Sequence, residues 1–123
     1  TIRCEKASSN ICSNQALCAL AVGVYLAAMG NEGLEKAATQ CMSKAHYLAD
    51  QLTGAGFAVE NKGDFFHEFV TVSSKDTDKV LAALEKENIL GGQKLDDHRI
   101  LWCCTEMNTK EDMDLLVRIV KEV

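Results

Sequence analysis

RCEKASSNICSNQALCALAVGVYLAAMG, residues Arg3 to Gly30, is the stretch around which the rest of the 123-residue chain is organised. Its second half, Ala16 to Met29, has no charged residue and, as a helix, leaves no polar face. Ser13 is a candidate N-cap, since its hydroxyl can accept from an unpaired first-turn amide, and Gly30 is a candidate stop in the left-handed C′ conformation. A helix that is apolar all round is buried on all sides. A domain of this length rarely surrounds one helix, so we expect part of the helix to pack against protein that this chain does not contain.

Beyond Gly30 the chain alternates helical and strand patterns, and with the first helix the order is ααββαβα. The later elements are a helix over 31–52, strands over 57–60 and 65–72, a helix over 77–88, a strand over 100–105 and a last helix from about 110. A short extra strand near 89–90 stays open. The two strands around the Asn61–Asp64 loop predict a β-hairpin, and Thr109 with Asp112 resembles a capping box. The order predicts an α+β fold in which two long helices precede a small, mostly antiparallel sheet with helices on one face.

Composition excludes several classes of function. The formal charge of −5 and the lack of a basic stripe argue against nucleic acid and anionic membranes as partners. The apolar run Ala16–Met29 is shorter than the ~18–20 residues of a bilayer span, which favours a buried core helix. Six cysteines without a signal peptide favour free, buried thiols in a cytosolic protein over disulfides in a secreted one.

The first motif is also the most specific. EKASSNICSNQAL, residues 5–17, closely resembles the EKATSNIC-type motif of the glycine-cleavage P-protein family, glycine dehydrogenase (decarboxylating). Its Asn-Gln-Ala-Leu continuation is more similar to subunit 1 of the two-subunit form than to the single-chain form. The supporting stretches are KAHYLADQL at 44–52, FFHEFV at 65–70, ILGG at 89–92 and TEMNTKEDMDLLV at 105–117. The resemblance covers nearly the whole chain and only the C-terminal part of that subunit.

This resemblance implies both a fold and a role. The implied fold is the small C-terminal domain of fold-type I pyridoxal-phosphate (PLP) enzymes, with 1–30 as a linker and leading helix and 31–123 as the α+β domain. The implied activity is PLP-dependent decarboxylation of glycine, an oxidoreductase reaction with aminomethyl transfer to the lipoyl arm of H-protein. The implied partners are the large domain of the same subunit, subunit 2 and H-protein, in the cytoplasm. Because the chain has no initiator Met and begins inside the motif, we expect a piece of a longer polypeptide that is inactive alone and binds no PLP by itself.

One polar cluster precedes the first helix and is the strongest site candidate. It comprises Arg3, Glu5, Lys6, Ser8, Ser9 and Asn10. Cations, hydroxyls and an amide beside a helix N-terminus are suitable groups for binding an anion. The resemblance implies that this cluster borders the active site or an interface. Helix capping with an exposed linker is the alternative. Two residues depart from the family pattern: Cys4 stands where Arg is usual, which removes a possible anion contact, and Ser8 replaces Thr but keeps the hydroxyl.

The lysines are poor candidates for a PLP Schiff base. A reactive lysine needs a desolvated pocket, a carboxylate for the pyridinium nitrogen and a phosphate cradle. Neither Lys6 nor Lys44 has these in the sequence pattern, and Lys44 flanks an apolar stripe, where its ammonium can reach water. No strand-to-helix Gly-rich phosphate loop occurs. By resemblance the PLP lysine belongs to subunit 2, so we expect no catalytic or cofactor-binding residue here.

Metal and redox sites are not indicated by spacing along the chain. The three histidines, His46, His67 and His98, lie far apart, so we expect no zinc site and no other metal. His67 stands where the family more often has Asn, and we interpret it as a partly exposed structural residue. The neighbours Cys103 and Cys104 should point to opposite faces of a strand, which disfavours a dithiol centre.

Two alternatives stay open. Gly91-Gly92 is either a substrate-access loop or, more commonly, a plain turn. The whole chain is either the enzyme part described above or a free-standing α+β ligand-binding or regulatory module, which would need a self-contained pocket. The small domain of an aminotransferase is a further alternative that the EKASSNIC stretch disfavours.

Overall fold

The structure, a computed structural model, describes residues 15–60 and 63–123. The elements are α1 (Ala16–Thr53), β1 (Ala58–Val59), β2 (Glu68–Val72), α2 (Thr77–Lys86), β3 (Gln93–Lys94), β4 (Arg99–Cys103) and α3 (Lys110–Glu122). This architecture of helices with a small antiparallel sheet confirms the predicted α+β class. The candidate N-cap Ser13 lies outside the described residues, and its role stays a prediction.

Gly30 interrupts α1. Its φ of 61° and ψ of −176° are non-helical, and helical backbone continues on both sides of it. The predicted break is therefore confirmed in its position and in its positive φ, which glycine adopts without steric cost. The prediction of two separate helices is replaced by one interrupted element. The chain divides into two compact units, Thr1–Leu34 and Glu35–Val123.

In the first unit, the apolar helix lies open to solvent. The exposed fractions are 78% for Leu17, 65% for Leu20 and 61% for Val24. We expected a helix without a polar face to be buried in part against protein that this chain does not contain; its side chains are exposed here, and what covers them stays a prediction. Over the length of α1 an apolar window also passes the length and composition test for a membrane span, with none of the window buried. A core helix of a soluble protein passes the same test, so one such window is weak evidence for a membrane span.

In the second unit, four strands form one antiparallel sheet in the order β1-β2-β4-β3. β1 and β2 pair as the predicted hairpin, with Ala58 opposite Val72. The optional extra strand exists as β3, at 93–94 rather than at 89–90. β2 is shorter than predicted because Phe65 to His67 are not in the ladder.

The core lies on one face of this sheet. Phe69 and Thr71 of β2 stand opposite Trp102 and Ile100 of β4, and all four side chains are buried. They join the buried stripe of α1 and the inner faces of α2 and α3 in one cluster that includes Leu48, Leu52, Val80, Leu84, Val117 and Val120. The opposite face carries the exposed residues Glu68, Val72 and Cys103. This agrees with the prediction of helices on one face and a half-polar second face.

Side-chain hydrogen bonds fix the helices and the core. Asp76 caps α2 by accepting from the backbone N–H groups of Asp78 and Lys79, and Thr109 with Asp112 forms the predicted capping box of α3. Inside the core the indole Nε1 of Trp102 donates to Thr71 Oγ1 over 2.7 Å. A buried indole N–H without such a partner would be destabilising, so this bond lets the tryptophan fill the core.

Candidate functional site

The six polar residues predicted to border an active site, Arg3, Glu5, Lys6, Ser8, Ser9 and Asn10, lie outside the described residues. Their role stays a prediction. So does that of Cys4 beside them. The described part of the chain offers three other regions to examine: the exposed apolar helix, a small cavity next to the sheet, and the polar groups around the end of β4.

The exposed apolar helix, defined as residues 16–29 of α1, has the chemistry of an interface. Leucine, valine, tyrosine and alanine side chains project from it in all directions, without a charged residue to solvate any side. Burying apolar surface stabilises a complex by about 25 cal/mol per Å² removed from water. Contiguous exposed apolar surface on a protein marks a site of contact with protein or membrane. The exposed apolar side chains of this helix suit a contact surface.

Lys44 is held by a structural hydrogen bond. Its Nζ donates to the backbone carbonyl oxygen of Glu106 over 2.6 Å, and the side chain is only half-buried. Nearby, the Cys41 thiol donates to the Glu106 carboxylate over 3.3 Å. These contacts join α1 to the loop before α3. They agree with the interpretation of Lys44 as a structural, partly solvated lysine.

A small cavity lies between α1, the Gly91-Gly92 loop, β4 and α3. Its volume is about 90 Å³, and its lining includes Leu48, Trp102, Asn108 and Met113. Ligand pockets for small molecules usually have about 300–1,000 Å³. The cavity is large enough for a few atoms only, so it is not by itself a site for a cofactor or a metabolite.

The Gly91-Gly92 loop is held by close packing. A Cβ atom on Gly92 would lie 2.4 Å from the carbonyl oxygen of Leu101 and 2.5 Å from Ile100 Cγ2. A Cβ atom on Gly91 would lie 2.7 Å from Leu84 Cδ1. Glycine is required here because backbone and core approach the loop too closely for any side chain. The packing accounts for both glycines without a role in substrate access.

The described cysteines, Cys18, Cys41, Cys103 and Cys104, are all free. Burial raises the pKa of Cys104 to about 11, with a further contribution from Cys103, so Cys104 stays a protonated, inert thiol near neutral pH. Cys103, the last residue of β4, is exposed and Cys104, directly after it, is buried, which agrees with the prediction that the two side chains point to opposite faces. The expectation of buried thiols is wrong for Cys18 and Cys103.

One grouping was missed by reasoning from spacing. The antiparallel register places Glu68 at the start of β2 directly opposite Cys103 at the end of β4, and His67 precedes Glu68 in the chain. Cys103 lies 35 residues after Glu68 in the sequence, so spacing within one element could not find the group. The signal lay in the pairing of the two strands.

Comparisons with known proteins place the chain among glycine cleavage proteins. Residues 1–120 match the family described as Glycine cleavage system P-protein. The "Probable glycine dehydrogenase (decarboxylating) subunit 1" of Desulfitobacterium hafniense is 43% identical over 99% of this chain, and that of Thermomicrobium roseum is 42% identical over 98%. A crystal structure of glycine decarboxylase (P-protein) of the glycine cleavage system, in inhibitor-bound form, superposes with a TM-score of 0.84 at 34% identity, over 98% of this chain.

The chain spans only part of these proteins. It covers 29% of the length of each of the two relatives and 29% of the solved chain. The larger part of such a subunit therefore has no counterpart in the 123 residues.

Proposed function

The chain belongs to the glycine cleavage system P-protein family, and from this we propose that it is the C-terminal part of a glycine dehydrogenase (decarboxylating) subunit 1. In the complete enzyme it takes part in the PLP-dependent decarboxylation of glycine, with transfer of the aminomethyl group to lipoyl H-protein. Alone it is inactive. Its own contribution is to form one side of the assembled enzyme and to supply a docking surface for the rest of the subunit.

The observation that carries this proposal is the exposed apolar helix inside a chain that matches its relatives from end to end. A globular domain leaves a helix of this kind uncovered only at the expense of solubility. Relatives with 42–43% identity continue for more than twice the length of this chain. The large part of the same subunit therefore supplies the apolar surface that covers Leu17, Leu20 and Val24.

The described residues do not fit a PLP site. Lys44 is engaged by the Glu106 carbonyl and lines neither of the larger hollows of about 360 and 450 Å³ beside α3, and the cavity beside the sheet, of about 90 Å³, is smaller than a cofactor needs. In the proposed assembly PLP provides the electron sink for decarboxylation, and the lysine that holds it belongs to subunit 2.

The remaining partners and the location follow from the same proposal. Subunit 2 and lipoyl H-protein complete the assembly, which acts in the cytoplasm as an oxidoreductase. The free thiols of the described residues fit a reducing compartment. The alternative, a free-standing ligand-binding module, needs a self-contained pocket. The cavity beside the sheet holds only about 90 Å³, and the larger hollows of about 360 and 450 Å³ lie between α2 and α3 and between α1 and α3.

The size of the natural polypeptide is the first test. Source cells are blotted with an antibody raised against residues 35–123. The proposal expects a band several times the 13.4 kDa of this chain that co-purifies with a PLP-containing partner. A band of about the size of the chain contradicts the proposal and favours the free-standing module.

The second test is catalytic. The polypeptide in that band is combined with subunit 2 and lipoyl H-protein, and release of CO2 from carboxyl-labelled glycine is measured. Removing the segment that corresponds to residues 1–123 should abolish the release. Unchanged release without the segment, or no release from the complete mixture, contradicts the proposal.

The docking surface has a test of its own. In the 123-residue chain, the double variant Leu20→Glu/Val24→Glu should lower both self-association in sedimentation and the binding of a hydrophobic dye. Gln40→Glu adds the same kind of charge at an exposed polar position of α1 and serves as the control. In the complete subunit the double variant should also weaken assembly. Equal sedimentation of the double variant and the control contradicts a docking role for the helix.

A further inference from the structure

The ends of β2 and β4 bring together three residues with metal-binding side chains. A ring nitrogen of His67, a carboxylate oxygen of Glu68 and the Sγ of Cys103 all lie within 4.8 Å of one another. The backbone holds this arrangement, because Glu68 pairs with Cys103 in the ladder and the Cys104 N–H donates to the His67 carbonyl oxygen over 2.9 Å. The three groups are therefore fixed at the same corner of the sheet.

The imidazole of His67 carries an unsatisfied nitrogen. Its Nδ1 is buried and has no hydrogen-bond partner among the described residues, and the ring packs edge-on against Phe66 at 4.8 Å between centroids. Buried polar atoms in proteins almost always have a partner, and an exception calls for an explanation such as an ion or a water. A bound cation near the histidine would provide one.

We propose that His67, Glu68 and Cys103 form a binding site for a divalent transition-metal ion of the zinc class. Imidazole, thiolate and carboxylate are zinc ligands, whereas Mg²⁺ and Ca²⁺ prefer oxygen alone. Tetrahedral coordination places ligand atoms roughly 3.3–3.8 Å apart; since the three atoms lie within 4.8 Å of one another, no pair has to approach by more than about 1.5 Å. Glu68 and Cys103 are exposed and can rotate to do so. Three protein ligands leave the fourth position open to water.

This site goes beyond the proposed function and differs from the sequence expectation of no metal. That expectation considered histidine and cysteine spacing along the chain, whereas the cluster forms by strand pairing. The test of this site is independent of the proposed glycine decarboxylation, because ion binding is measured directly and needs no assay of the enzyme.

The test uses the reduced, metal-free chain titrated with Co²⁺, followed by displacement with Zn²⁺. A thiolate-to-cobalt charge-transfer band should appear with one equivalent of Co²⁺ and disappear when Zn²⁺ is added. Cys103→Ser should abolish the band. His67→Asn and Glu68→Gln should each weaken Zn²⁺ binding in chelator competition by about tenfold or more.

Matched controls separate the site from general thiol and imidazole binding. Cys18→Ser removes an exposed thiol of α1, and His98→Asn removes an exposed histidine beside β4. Both should bind as the parent chain does, and circular dichroism checks that every variant is folded. If Cys103→Ser does not fold, the proposal is tested by comparing the Zn²⁺ affinity of His67→Asn with that of His98→Asn.

Three results would overturn the proposal. One is the absence of a charge-transfer band in the parent chain, and another is a band of equal intensity in folded Cys103→Ser. The third is equal weakening of Zn²⁺ binding by His67→Asn and His98→Asn.

Discussion

The two ends of α1 are both rich in apolar residues, yet they differ completely in burial. Leu20 is 65% exposed, whereas Leu52 is fully buried. In the segment from Cys41 to Leu52 the apolar residues follow a stripe, and the sheet of the same unit covers that stripe. In residues 16–29 no polar face exists, and among the described residues Leu17, Leu20 and Val24 are exposed. A stripe shows that a helix has its partner nearby in the chain, while an apolar surface all round shows only that a partner is needed.

The largest expected effect tests this comparison with the same substitution at both ends. Leu52→Ala leaves a cavity in the core and should lower the free energy of unfolding by about 2–5 kcal/mol. Leu20→Ala removes an exposed side chain and should change it by less than about 0.5 kcal/mol. Urea unfolding followed by far-ultraviolet circular dichroism measures both. Similar losses in the two variants would show that Leu20 is buried in solution.

A pair of glycines gives effects of opposite sign. Gly92→Ala forces a Cβ against the Leu101 carbonyl and Ile100 and should destabilise by about 1–3 kcal/mol. A Cβ on Gly23 would meet no atom within 4 Å. Gly23→Ala should therefore stabilise the helix by about 0.5–1 kcal/mol. Thermal unfolding and helix content report the two changes, and destabilisation by Gly23→Ala would mean that the exposed helix is packed closely against something.

The smallest expected effect is pH dependence at the rim of the sheet. The backbone N–H of His98 and then the Arg99 side chain lower the pKa of Asp96 below its ordinary 3.8. A lowered carboxyl pKa in the folded state stabilises it above the unfolded pKa, and this stabilisation is lost as the pH falls through the folded value. The urea midpoint of Asp96→Asn should therefore lie below that of the parent chain at about pH 6, and the difference should shrink below pH 3.8.

Asp50→Asn, at an exposed position of α1, is the control for that titration. Its difference from the parent chain should not follow the same course. A parent-to-Asp96→Asn difference that grows as the pH falls would contradict the prediction.

Local signals in the sequence were sufficient for much of the fold. Gly30 marks the interruption of α1 because only glycine tolerates its positive φ easily, and Thr109 with Asp112 marks the start of α3 because the cap is formed within four residues. The end of α1 at Thr53, one residue beyond the prediction, is also marked locally, because Gly54 and Gly56 lie within the next three residues. Features that depend on residues close together in the sequence can be predicted without the tertiary structure.

Features that depend on residues far apart in the sequence could not be predicted from it. β3 lies at Gln93–Lys94 because Gly92 packs under β4, and this contact brings the next residues into the ladder. The grouping of His67, Glu68 and Cys103 depends on the register of two strands separated by α2 and β3. The predicted cluster near Arg3 lies outside the described residues, so it is neither supported nor opposed by the fold.

The indole of Trp102 has a practical consequence. It is the sole tryptophan of the chain, it is buried against the edge of Phe57, and its N–H is bonded to Thr71. Its fluorescence therefore reports the core of residues 35–123 alone, while circular dichroism sums over every helix. Recording both signals during one denaturation separates loss of this core from fraying of the apolar helix, without adding a label to the molecule.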